Sequence, residues 1–189
     1  MGRNYTAFAR SDGRTVDNLP MSESVLDTLD FSRTDEPEAS GSQRDDLMAW
    51  LHYQRHEFLR KLRDLSPTQL AAWAVPPVEL SVLGLVRHMR QMEHAYLAWG
   101  FGGGEQADYY GDDDYSGGSA DTVEADLRGY LDEVERADAA LASHPEIGST
   151  GLGHNQPLGF VLVKMIDEYA LHSGQAHMIR FAALGSLIR

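Results

Sequence analysis

Along most of the chain apolar residues return every three or four positions, the period of an amphipathic helix, and stretches that alternate as a strand would are scarce. From about residue 43 to 65, Leu47, Leu51, Gln54, Phe58, Leu62 and Leu65 form one such stripe. SPTQLAAW follows, with Ser66 as a cap and Pro67 at the first helical position, which predicts a short helical turn before PPVEL breaks the chain. A second long helix starts near Ser81 and aligns Leu85, His88, Met92, Ala95 and Trp99 before GFGGG stops it. Asp121 or Thr122 can cap a third, which carries Leu127, Leu131, Val134, Ala137 and Leu141 at helical spacing. The fourth and most apolar opens at Pro157 and runs to about Ala183. Four long helices joined by links without strand signals predict an all-α fold, a four-helix bundle.

The ends and links differ from these periodic segments. Residues 1–41 are polar, and Phe8, Val25, Leu26, Leu29 and Phe31 form no sustained period. They read as an N-terminal extension that is flexible or lies over the surface, with a short helix at MSESVLDTL, and residues 42–189 as the bundle domain. The segment 102–120 has the Gly, Ser and Asp content of a loop, and from Glu105 to Asp126 it holds eight acids and no base, so exposure is expected. Asp112–Asp114 lacks the alternating ligands and closing Glu of a calcium loop and reads as a solvated turn.

Composition narrows the classes of function. A chain of 189 residues is long enough for one domain with a sizeable core. A formal charge of −13 argues against nucleic acid, which needs a basic patch to displace counterions. The longest apolar runs stop well short of the roughly 20 residues that cross a bilayer, so no membrane partner is expected. The first residues lack the apolar core of a secretory signal, and the cytoplasm is the simplest location. With no cysteine, the chain has no disulfide, no thiolate ligand and no thiol nucleophile of its own. Any sulfur chemistry must come from a cofactor or substrate.

The fourth helix carries the candidate chemistry. Val161, Met165, Glu168, His172, Ala176 and Ile179 share one stripe, which places a carboxylate and an imidazole, four residues apart, on a face that should be buried. An unpaired buried carboxylate costs several kcal/mol, so a partner is expected. His88 holds the equivalent place on the second helix. His88, Glu168 and His172 together would supply two imidazole nitrogens and a carboxylate oxygen, a set suited to zinc and also accepted by nickel, iron or manganese. The competing explanation is that the interior His and Glu only hydrogen-bond each other or the backbone. His52 and His56 are also four apart, but they flank their stripe beside Arg55 and Arg60, where solvated residues are expected. His94, His144 and His154 are given no special role, and His177 is a lesser candidate partner. Trp50, Tyr96, Trp99 and Tyr169 read as core, with Trp99 and Tyr169 able to line a pocket beside the metal.

The segments SVLGLVRHMRQMEHAYLAW and VLVKMIDEYALHSGQAHMIR resemble the DinB-like superfamily, in the branch of small proteins related to mycothiol-dependent maleylpyruvate isomerase. The resemblance covers about residues 44–184. It implies that His88, Glu168 and His172 bind a divalent metal, and that a small-molecule substrate and a low-molecular-weight thiol, mycothiol, are the partners. Transfer of that thiol to an electrophile, or its use to isomerise one, is the implied chemistry. Related bundles are frequently dimers, which allows a homodimer, although the sequence marks no clear exposed apolar seam. Family members often carry a His three residues after the last ligand, where this chain has Gln175. Two other readings stay open: a metal-dependent hydrolase that activates water, with Arg87, Arg90 or Arg180 steering an anion, and a metal-stapled binding or sensor protein without activity.

Overall fold

The computed structural model describes residues 24–32 and 35–185, so the expectation for the first 23 residues lies outside it. The described chain is built from α1 (Val25–Thr28), α2 (Gln43–Arg60), α3 (Pro67–Ala71), α4 (Val82–Met92), a π-helical segment Glu93–Ala98, α5 (Trp99–Gly102), α6 (Val123–Ala142) and α7 (Leu158–Leu184). It contains no strand among these residues; Thr150 and Pro157 make one isolated bridge. The four long helices expected from the hydrophobic period are present, and they pack as an all-α bundle.

Local chemistry sets the helix ends. The Ser42 and Ser81 side chains accept from the backbone N–H groups of Asp45 and Gly84, which satisfies one orphan donor at each N-terminus. Ser66 and Gln69 close a reciprocal capping box, with Pro67 at the start of α3. At the far end of α7, Gly185 takes a left-handed conformation (φ 65°) and returns its N–H to Phe181. Ahead of the bundle, Glu124 of α6 accepts from the Ser24 hydroxyl and the Val25 amide, and Val25 is fully buried against the core.

Leu51, Phe58, Leu85, Met89, Leu97, Phe101, Leu127, Val134, Leu162 and Met165 fill the centre of the bundle. The centre is not purely apolar. Arg55, read from the sequence as a solvated flank of α2, is fully buried and grips Glu93 with two charge-assisted bonds, at 2.8 and 2.6 Å. Its remaining amino group reaches Asp138 of α6 at 2.7 Å, and Tyr169 of α7 donates to the same Glu93 while bonding Tyr130. One cluster therefore ties α2, the π segment, α6 and α7. Burial works against the Arg55 charge, but Glu93 and Asp138 outweigh it and hold the guanidinium firmly protonated. The wider π-helical turn begins at Glu93, and the adjacent Glu93 and His94 are both buried in it.

The fourth helix departs from expectation in one respect. Phe160, Val163, Leu171 and Met178 are more than half exposed, so α7 presents an apolar strip to solvent that its sequence did not distinguish from its core face. No helix among the described residues is long and apolar enough to cross a membrane.

Candidate functional site

His88 on α4 and Glu168 with His172 on α7 face one another, as their stripes anticipate. One ligand atom from each lies within 4.8 Å of the others. Glu168 Oε2 stands 3.5 Å from His172 Nε2, and the two imidazoles meet edge to face with centroids 4.8 Å apart. Around a tetrahedral ion with bonds of about 2.1 Å, ligand atoms sit roughly 3.4 Å apart, so the Glu–His pair already matches and the widest separation must close by roughly 1.4 Å. Modest rotations about the side-chain torsions of the three residues would supply that movement.

The site is at the edge of the core instead of inside it. His172 is buried, but Glu168 and His88 are only partly so, and Lys164 donates to Glu168 Oε1 at 2.8 Å. This corrects the argument that Glu168 is a buried carboxylate in need of a cation. Its charge is already compensated one turn away, and the other oxygen, Oε2, is the one turned to His172. Burial alone would raise the Glu168 carboxyl; the bond and charge of Lys164, with His172 and His88, hold it below its usual range.

Both rings have one nitrogen engaged outside the cluster. His88 Nδ1 donates to Asp114 Oδ2 at 2.8 Å, and His172 Nδ1 donates to Gln175 Oε1 at 2.8 Å. Since carboxylate and amide oxygens only accept, both imidazoles carry the proton on Nδ1 and leave Nε2 as the lone-pair nitrogen. Burial lowers the proton affinity of His88, against the pull of Asp114, which favours the neutral ring that a metal needs. Gln175 thus orients His172.

In the run read as a solvated turn, Asp112 and Asp113 are exposed as expected, and only Asp114 departs from that reading. The segment forms a single 3-10 turn at Gly111–Asp113, after which Asp114 swings its carboxylate to His88 and Tyr115 stacks on the same ring, centroids 4.5 Å apart and nearly parallel. Burial, then the charges of Asp114 and Glu168, push the Tyr115 phenol up to about 12, so it remains a neutral wall of the site. The acidic loop as a whole is fastened to α4 and the π segment. The buried His94, given no role from the sequence, donates through Nδ1 to Glu133 and accepts the Ala107 amide at Nε2. Gln91 accepts from the Tyr109 amide and donates to the Ala107 carbonyl.

The three arginines considered for anion steering are occupied. Arg87 holds the carbonyls of Asp113 and Asp114 and pairs with Asp126, Arg90 binds the Tyr110 hydroxyl, and Arg180 binds the Arg63 carbonyl and Asp64. Tyr169 points into the core cluster, away from any pocket beside the three ligand candidates. His52 lies 3.8 Å from Asp138, and His154 contacts the Tyr96 carbonyl. The signal that would have revealed the loop's position is a second polar row along α4 and into the π segment, Arg87, Gln91 and His94, at spacings of four and three beside the apolar stripe.

Neither the curated proteins nor the solved structures compared with the chain contain a match. A family model described as mycothiol-S-transferase matches residues 46–185, which spans all four long helices except the first turn of α2. With a match over most of its length and the DinB-like segments on the two helices that converge, the chain belongs to the mycothiol S-transferase family.

Proposed function

We propose that the protein holds a divalent metal ion through His88 Nε2, Glu168 Oε2 and His172 Nε2, and transfers a low-molecular-weight thiol, mycothiol, to a small electrophile. The observation that carries this reading is the convergence of two imidazoles and one carboxylate within 4.8 Å, with both Nδ1 atoms already turned to acceptors outside the cluster. With no cysteine in the chain, the reacting sulfur has to arrive on a substrate. Zinc suits the nitrogen and oxygen donors, and nickel, iron and manganese are also compatible.

The ion would supply Lewis acidity that favours the ionised form of a thiol near neutral pH. The chain's own residues do the rest. Asp114 and Gln175 fix the ring tautomers, Lys164 holds Glu168 by its outer oxygen, and Tyr115 covers one side of His88. A sulfur–carbon bond forms to the electrophile, the thiol proton passes to solvent, and the electrophile's leaving group departs or its double bond takes up a proton.

Three protein ligands leave a position for substrate on a tetrahedral ion. The test is thiol consumption by the purified protein, with mycothiol and an activated aryl halide as the electrophile. Saturable, protein-dependent consumption is expected, falling about 100-fold on chelation and returning with added zinc, since Lewis-acid assistance of this kind is worth several kcal/mol. Consumption equal to the protein-free rate would sink the proposal.

A further inference from the structure

We infer that Asp114 is a positioning residue for this site, and that the acidic loop exists to hold it against His88. The inference rests on the metal reading above and extends it to a loop that contributes no ligand. Asp114 uses both carboxylate oxygens: Oδ2 accepts from His88 Nδ1 and Oδ1 accepts from its neighbour's amide, Tyr115 N, each at 2.8 Å. A carboxylate on the far nitrogen of a ligating imidazole sets the ring's orientation and raises its basicity.

An aspartate in a loop carrying six acids between Glu105 and Asp121 would otherwise drift into water, away from like charge. Three features of α4 and the π segment that continues it prevent this. The buried Arg87 grips the carbonyls on both sides of the bend, Asp113 at 2.9 Å and Asp114 at 3.1 Å, so the backbone carrying the carboxylate is pinned from the turn of helix that also bears His88. Gly84, one turn earlier, lets the loop lie directly on the helix: a Cβ there would fall 2.0 Å from the Tyr115 carbonyl oxygen. Gln91 and His94 fasten the earlier part of the loop further along the same face. About three turns, from Gly84 on α4 to His94 in the π segment, are thus used to deliver one carboxylate and one aromatic ring to one histidine.

The experiment is zinc affinity of the full-length protein, measured by competition with a chromophoric chelator, for wild type, Asp114→Ala, Asp114→Asn and Gly84→Ala, with helical content followed by circular dichroism. Asp114→Ala should weaken zinc about 10- to 100-fold, the usual range for loss of such a partner. Asp114→Asn, which retains an acceptor oxygen without the charge, should fall between it and wild type. Gly84→Ala should weaken binding although every side chain of the site is kept, because the added methyl displaces the Tyr115 backbone. Nitrogen chemical shifts of His88 in the metal-free protein should report the Nδ1–H form in wild type and lose it in Asp114→Ala. If wild type binds zinc and folded Asp114→Ala binds it within twofold, the positioning role is overturned while the metal site stands. If wild type binds no zinc, both fall.

Discussion

His172→Ala is expected to purify without metal and to lose thiol transfer. Elemental analysis should drop from about one equivalent per chain to background, and activity should fall by more than about 100-fold, because even partners of the ligands cost 10- to 100-fold in affinity or activity. The same result is expected for His88→Ala. The two variants test different helices, which is why both matter: a site assembled across α4 and α7 requires each, whereas a metal held by α7 alone would survive loss of His88. Circular dichroism should remain that of a helical bundle, since Glu168 and His88 are only partly buried and Lys164 continues to neutralise Glu168 when the imidazole is gone. Unchanged metal content in a folded His172→Ala variant would remove the assigned site, whatever the activity did.

Arg55→Met is expected to destabilise the protein by about 3–5 kcal/mol, because the fully buried Glu93 keeps the Tyr169 hydroxyl but loses its cation. For a chain of this size that corresponds to a melting point lower by roughly 6–20 °C. Urea denaturation of the double variant Arg55→Met with Glu93→Leu separates two explanations. If the loss comes from the abandoned carboxylate, the double variant should recover most of it, since apolar residues of similar volume often replace a buried ion pair without loss. If both variants are equally unstable, the fault lies in packing of the volume that the guanidinium filled. Asp138 also loses the guanidinium in either variant and keeps His52 nearby, at 3.8 Å.

The helices were legible because their evidence is local. Apolar residues at three- and four-residue spacing, with Ser42 and Ser81 before α2 and α4 and Gly185 after α7, specify a helix whatever surrounds it. The convergence of His88 with Glu168 and His172 was also within reach: each lies in line with an apolar stripe, and stripes of neighbouring helices in a bundle face each other. Burial was less legible. Arg55 reads as a solvated flank, yet it is buried, because Glu93 and Asp138 from two other helices meet it there. Glu168 reads as buried, yet it sits at the rim with Lys164, because the most apolar helix also turns Phe160, Leu171 and Met178 to solvent.

The loop is mostly exposed, as expected, but its attachment to His88 through Asp114 and Tyr115 was not legible, for a physical reason. Acidity and glycine content predict solvation, and a loop's position depends on single hydrogen bonds that no periodicity encodes. Asp112–Asp114 looks the same in sequence whether it waves in water or, as here, ends in a carboxylate on His88. The sequence by itself determined four amphipathic helices, a cysteine-free chain and three metal-ligand candidates on two of those helices, since each is a property of residue type and spacing along one segment. Only the tertiary structure decided which charges lie inside, which nitrogen of each histidine is left facing the cluster, and that the acidic loop belongs to the site, because those are set by contacts between residues far apart in the chain.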